Sequence, residues 1–380
     1  MADEVAAPTA RASLREVAVF FLRLGATAFG GPAAHISMME KMVVRERRWL
    51  TREKFLDLLG AANMLPGPSS TELAIYIGYE QAGFAGLLLG GTCFILPAAL
   101  LTLGIAWLYV RMGTLPQVGG VLYGIKPVII VVIAEALWHL ARAAVKTWLL
   151  AFVGLLAVAA ALVGVNPLLI LLASGAALLM FQLGRRARPG AGTVAGWSLP
   201  AAAGSLAGVG MLPLFLAFAK IGAVVFGSGY VLLAFLRADL VDRLHWLTEA
   251  QLLDAVAVGQ FTPGPVFTTA TFIGYLLGGI PGALAATAGI FAPAFVLVAI
   301  SGPLVPRLRR SSTASAFLDG VNVASLGLMA AVTWQLGRAA LVDLPTIAIA
   351  LAGAVLLFRF RVNSAWLVLG GGAIGLAISH

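Results

Sequence analysis

Two clusters of hydroxyl side chains stand directly behind a Pro-Gly-Pro triplet. Ser69, Ser70 and Thr71 follow Pro66-Gly67-Pro68, and Thr268, Thr269 and Thr271 follow Pro263-Gly264-Pro265. Two prolines around a glycine stop any continuous helix, and the chain behind them is free to start a new one. The first turn of a helix presents free backbone N–H groups and the positive end of the macrodipole. With hydroxyls added, such a turn suits a small anion without needing a fixed cation. The chemistry is capture of an oxyanion rather than bond making. The four histidines (His35, His139, His245, His380) are scattered, and no carboxylate pair lies within an apolar run. A single cysteine, Cys93, excludes an internal disulfide and a cysteine-based metal site. No catalytic residue, metal ligand or cofactor is expected, and the chain does not read as an enzyme.

The elements that must position these hydroxyls occur twice. LPGPSSTELAIYIGY (Leu65 to Tyr79) returns as TPGPVFTTATFIGY (Thr262 to Tyr275). Phe29-Gly30 matches Phe226-Gly227 and Trp49-Leu50-Thr51 matches Trp246-Leu247-Thr248, all at a shift of 197 residues. After a one-residue slip the shift is 196, pairing Gly78 with Gly274, Pro97 with Pro293 and Gly124 with Gly320. Glycine- and proline-broken segments at matching places in an apolar chain are the sequence mark of a secondary transporter, and they point at its site.

Composition fixes the solvent. The chain is 61% hydrophobic and 11% charged, with a mean hydropathy of +0.99, whereas soluble domains carry about 25% charged residues. Its +9 charge sits in loops between apolar runs and forms no contiguous basic face, so nucleic acid is not a partner. The division reads as an N-terminal tail (residues 1–16), a first transmembrane repeat (17–187), a linker (188–199) and a second repeat (200–380). In repeat one an apolar run, Val17 to Met39, precedes a basic loop, Lys41 to Lys54. Two half-length pieces, Phe55 to Met64 and Ser69 to Tyr79, flank the first triplet, and longer runs follow. Each piece reaches only about half a bilayer. If the pieces form a re-entrant hairpin and the N-terminus lies outside, 16 of the 25 Lys and Arg fall in cytoplasmic loops; a crossing reading gives 14. The positive-inside rule therefore favours the hairpin. The expectation is an all-α polytopic membrane protein of two inverted repeats, each with about five transmembrane helices and a re-entrant or broken helical hairpin.

Further candidates surround the triplets. Gly30, Gly31 and Pro32, with Gly227, Ser228 and Gly229 as their counterparts, sit midway along the first run of each repeat. They permit either a helix break that offers backbone to a substrate or close helix packing. Arg23 and Lys220 lie seven residues earlier, two turns along the same face. They read either as cations on an anion path or as snorkelling side chains. Lys126 is a third basic candidate, weakened because its counterpart is Asn322. Glu72 follows the first hydroxyl cluster and is replaced by Thr269 in repeat two. It either takes up a coupled proton or partners Arg23 or Lys126.

FGGPAAHISMME (Phe29 to Glu40), the RRWLT turn (Arg47 to Thr51), LPGPSSTELAIYIGY and CFILPA (Cys93 to Ala98) resemble the N-terminal half of the chromate ion transporter family. FGSGYVLL (Phe226 to Leu233), GQFTPGPVFTTATFIGY (Gly259 to Tyr275) and GIFAPAF (Gly289 to Phe295) resemble its C-terminal half. The resemblance covers Arg15 to about Arg361, with one departure, Ser228 in place of the usual glycine. It implies a multi-pass carrier of the bacterial inner membrane that exports chromate, a sulfate-like tetrahedral dianion, and confers chromate resistance. The substrate-binding set expected from these readings is Gly30, Gly31, Gly67, Ser69, Ser70, Thr71, Gly227, Ser228, Gly264, Thr268, Thr269, Arg23, Lys220 and Lys126, with Glu72 as coupling candidate. The expected partners are chromate or a sulfate-like oxyanion, protons as the coupling ion, and membrane lipid; a homodimer is left open.

Overall fold

The computed structural model describes residues 11–29, 31–112, 116–186, 210–226, 231–301 and 312–378. The expected linker, 188–199, lies outside them. Among the described residues every regular element is helical. Repeat one contains α1 (Leu14–Thr27), α2 (Gly31–Glu40, continued by a wide π-helical turn, Lys41–Glu46), α3 (Arg52–Ala62), α4 (Ser69–Met112), α5 (Pro116–Ala144), α6 (Trp148–Leu162) and α7 (Pro167–Arg186). Repeat two contains α8 (Met211–Val224), α9 (Leu232–Leu236, continued by a π-helical turn, Arg237–Arg243), α10 (Glu249–Phe261), α11 (Thr269–Ser301), α12 (Ser312–Ala340), α13 (Leu344–Phe360) and α14 (Ser364–Ile378). α4 and α11 each fold sharply on themselves. Ala82 and Gly83 leave helical geometry in α4, and Gly278 and Gly279 do so in α11. Each therefore has a short limb (69–81, 269–277) and a long limb (84–112, 280–301). The limbs lie back to back through glycines, Gly78 against Gly86 and Gly274 against Gly282, because only a missing Cβ lets two backbones approach so closely.

The Pro-Gly-Pro segments are re-entrant, as the charge count favoured. The outer ends of α3 and the short limb of α4 meet at one end of the bundle. There Lys54 pairs with Glu80 at 3.1 Å, and the Gln81 amide donates to the Trp49 carbonyl at 3.1 Å. Thr51 caps α3 through the Lys54 N–H, while Thr248 and Gln251 form a full capping box on α10.

The first apolar run differs from its expected single crossing. The Ala12 N–H donates to Gln81 Oε1 at 3.2 Å. The Trp49 ring, buried after the π-helical turn, packs edge-on to Phe20 with centroids 5.1 Å apart. α1 and α2 thus start and finish at the same end, as a second re-entrant hairpin that turns after Ala28. The physical reason is local. Ala28 is extended, and Gly31 takes the left-handed conformation at φ 73°, which glycine adopts without Cβ strain. The start of α1 therefore shares an end with Lys41 to Lys54, which corrects the expected opposite placement.

The repeats are inverted. Phe295 packs on Gly91, and Tyr76 near the outer end of one short limb bonds Ser301 at the far end of the other repeat's long limb, at 2.6 Å. Tyr109, near the end of the α4 long limb, reaches Asp254 in the outer half of α10 at 2.9 Å. The two long limbs therefore run antiparallel. Around them the repeats exchange helices. α6 and α7 pack on α12 through Gly154, Gly175, Gly320 and Gly327, and α14 packs on α5 through Gly124, Gly371 and Gly375. The outward surface is apolar, with Trp107, Trp138, Trp148, Trp334 and Trp366 all exposed. Among the described residues, five helices are long and apolar enough to cross a bilayer.

Candidate functional site

The two triplets meet the opposite repeat at the centre of the molecule. The Gly67 N–H donates to the Val225 carbonyl at 2.7 Å, and the Gly264 N–H donates to the Ala28 carbonyl at 2.9 Å. Ala28 and Val225 are the C-caps of α1 and α8, equivalent positions at the repeat shift. Each re-entrant tip thus satisfies an orphan carbonyl where the other repeat's first helix ends, which apolar surroundings demand. Both glycines have left-handed φ, 137° at Gly67 and 87° at Gly264.

Beyond this symmetry the tips differ. At the first tip Ser69 opens the short limb of α4, and its neighbours are buried. Ser70 Oγ lies 3.4 Å from His35 Nδ1, and His35 Nε2 lies 3.1 Å from the Ala28 carbonyl. Thr71 and Glu72 are both 0% exposed, and among the described residues neither the Thr71 hydroxyl nor either Glu72 carboxylate oxygen has a hydrogen-bond partner. At the second tip the hydroxyls turn back on their own loop. Thr268 donates to the Pro265 carbonyl and Thr269 to the Val266 carbonyl, both at 2.8 Å. Thr102 from the α4 long limb seals the loop, reaching Thr268 at 3.4 Å and Thr262 at 3.5 Å.

Open space reaches only the first tip among the described cavities; a larger one, about 670 Å³, lies between the α6–α7 turn, Arg237, Asp239, Arg243 and α12, away from the second tip. A cavity of about 410 Å³ reaches Ser69 and Asn63 at the first tip, a size that suits a small ligand. Its walls are Pro32, Ala33 and Ile36 of α2, the end of α5 with Lys146 beyond it, and Asp319, Asn322 and Ser325 of α12. At the positions equivalent to Asn322 and Asp57 in the other repeat stand Lys126 and Asp254. These form an ion pair at 2.9 Å, with Asp254 buried and Lys126 half-buried, and Tyr109 donates to the same carboxylate.

The expected basic residues are not gathered at the tips. Lys126 is held by Asp254. Lys220 pairs with Asp239 at 2.8 Å, and Arg243 shares that carboxylate at 3.1 Å. Arg23 is exposed on α1. Gly31 begins α2 beside the cavity, while Gly30, Gly227 and Ser228 lie outside the described residues. Sequence reasoning passed over Asn322, Ser325, Asp254, Tyr109 and Thr102. A signal existed for one of them: Asn322 breaks the repeat symmetry at the Lys126 position.

An inverted repeat with two re-entrant tips, each bonded to the end of the opposite repeat's first helix in an apolar helical chain, defines a multi-pass membrane transport protein. Comparison with known proteins narrows the class. The model of the family described as Chromate transporter matches residues 15–179 and 212–376, and the chain belongs to this family. It is 35% identical to the chromate transport protein of Cupriavidus metallidurans, over 95% of this chain and 92% of that protein. Against the probable chromate transport protein of Synechococcus elongatus the identity is 35%, over 90% and 89% of the two chains. Against the chromate transport protein of Pseudomonas aeruginosa it is 31%, over 93% and 90%. No solved structure matches the chain.

Proposed function

We propose that this protein exports chromate, a tetrahedral dianion, across the bacterial inner membrane by alternating access, and so confers chromate resistance. The observation that carries the reading is the cavity ending at the N-terminus of the α4 short limb, in a molecule whose second tip is sealed by its own hydroxyls and by Thr102. One accessible tip beside one sealed tip is what a single state of an alternating carrier requires. Repeat inversion supplies the other state by exchanging the roles of the tips. The segment Lys41 to Lys54 puts six basic side chains at the end where α1 begins, which makes that end cytoplasmic by the positive-inside rule. A membrane potential negative inside favours exit of a dianion by about 4.6 kcal/mol per 100 mV, twice the single-charge value. Names borne by the relatives support chromate as substrate. Glu72, buried and unpartnered behind the first tip, is the proton-binding group in this scheme, because a bare carboxylate repels an arriving dianion.

The test is flux in vesicles containing the purified protein, with chromate and sulfate each offered under an imposed potential. Chromate flux that follows the potential and is competed by sulfate is expected; flux of neither ion would overturn the reading. A second measurement checks sidedness. In a Cys93→Ala background, Arg15→Cys and Arg48→Cys should both resist an impermeant thiol reagent in intact cells, and Arg243→Cys should react. Labelling of Arg15→Cys but not Arg48→Cys would mean that α1 and α2 together cross the membrane.

A further inference from the structure

Asn322 and Ser325 occupy adjacent turns of one face of α12, and both line the cavity that ends at Ser69. Ser325 is 1% exposed, and its hydroxyl has no hydrogen-bond partner among the described residues. A buried hydroxyl left unsatisfied costs about 1–3 kcal/mol, so an orphan facing a cavity calls for a ligand that accepts a hydrogen bond. Opposite it stand Ser69, which opens the α4 short limb, and Asn63 at the end of α3. Asparagine can direct two N–H donors at an anion without bringing charge. Among the described residues the lining holds one cation, Lys146, which is exposed beyond the end of α5, and one carboxylate, Asp319, also exposed.

We infer that Asn322 and Ser325 of α12, from the second repeat, complete a neutral-donor site for a tetrahedral oxyanion with Asn63 and Ser69 of the first. The inference rests on the transport reading given above. The substrate is then held between repeats, with α12 as one jaw and the first re-entrant tip as the other. Neutral donors suit a carrier, because a dianion held by a buried cation would be slow to leave. The counterpart position in the other repeat holds Lys126, whose charge is already neutralised by Asp254. Asn322 therefore marks where the duplicated architecture departs from its twin to accept substrate.

The experiment measures initial rates of chromate flux against concentration for wild type, Asn322→Ala, Ser325→Ala and Ser325→Thr in vesicles at matched protein content. Each alanine variant is expected to raise the half-saturation concentration at least tenfold while changing the maximal rate less than threefold, with Ser325→Thr near wild type. Half-saturation unchanged in both alanine variants, with wild type transporting, would overturn the site while leaving the transport reading intact. Absence of wild-type flux would strike the transport reading itself. As a check independent of flux, Ser325→Cys in the Cys93→Ala background should react with a small thiol reagent added from the basic end. Millimolar sulfate or chromate should slow that reaction at least threefold, and an unprotected rate would also overturn the proposal.

Discussion

Glu72→Gln should make oxyanion flux indifferent to a pH gradient while leaving flux driven by membrane potential. The side chain is fully buried on the short limb of α4, with Oε1 lying close to the Cα of Gly67, and neither carboxylate oxygen finds a partner among the described residues. Of the two cations considered for it, Lys126 is committed to Asp254 and Arg23 points outward. Glutamine has the shape of the protonated acid but cannot release a proton. For wild type, one pH unit across the membrane is worth about 1.4 kcal/mol per coupled proton, or a tenfold change in the accumulation ratio. The variant should stay within twofold across the same step. Vesicles loaded at one pH and diluted into another, with the potential clamped, give the measurement. A variant that still follows the gradient would assign the coupled proton to another group.

The second large effect concerns the two tip glycines. Alanine at Gly67 would place its Cβ 2.6 Å from Glu72 Oε1, and alanine at Gly264 would place it 2.7 Å from the Ala98 Cβ and 2.9 Å from the Gly25 carbonyl. Left-handed backbone costs a residue with Cβ about 1–2 kcal/mol, and overpacking adds about 1–3 kcal/mol. Both substitutions also strain the N–H donation to the opposite repeat, so loss of transport is expected together with a lowered thermal unfolding midpoint. Gly83 and Gly279 provide the control. Their φ angles, 62° and 59°, are also left-handed, but an added Cβ would meet nothing within 4 Å. Gly83→Ala and Gly279→Ala should therefore show only the backbone cost, and retain flux. Equal damage at all four positions would show that backbone conformation alone matters and that the crowded tip contacts do not.

Much of this architecture was legible because prolines and glycines punctuate an otherwise apolar chain. Pro66-Gly67-Pro68 and its copy announced both re-entrant tips, and the half-length pieces beside them were too short to cross. The run from Val17 to Met39 misled because it is long enough for a bilayer, and its break depends on the extended Ala28 and the left-handed Gly31 rather than on any polar residue. Contacts between repeats were beyond periodicity. Lys126 meets Asp254, and Gly67 meets Val225, across more than a hundred residues of chain. Local pattern carries no information about such partners. The hydroxyls around the two triplets looked equivalent in sequence, yet the structure turns those of the second into its own loop and leaves the first beside open space. That difference comes from α12 and the α4 long limb, elements remote from either motif.

The exchange of outer helices between repeats restricts how the machine can work. α5 is clasped by α13 and α14, and α12 by α6 and α7, so each half is held in the tail of the other. Swinging one whole half against its twin would strip apolar faces that fit glycine to glycine, at Gly124 with Gly371 and at Gly320 with Gly175. On the alternating-access reading proposed above, the clasped helices would serve as a chassis and leave the working stroke to the two small hairpins lodged inside it. The same interlock bears on the halves taken singly: a lone half would lack the tail that covers its own α5 equivalent.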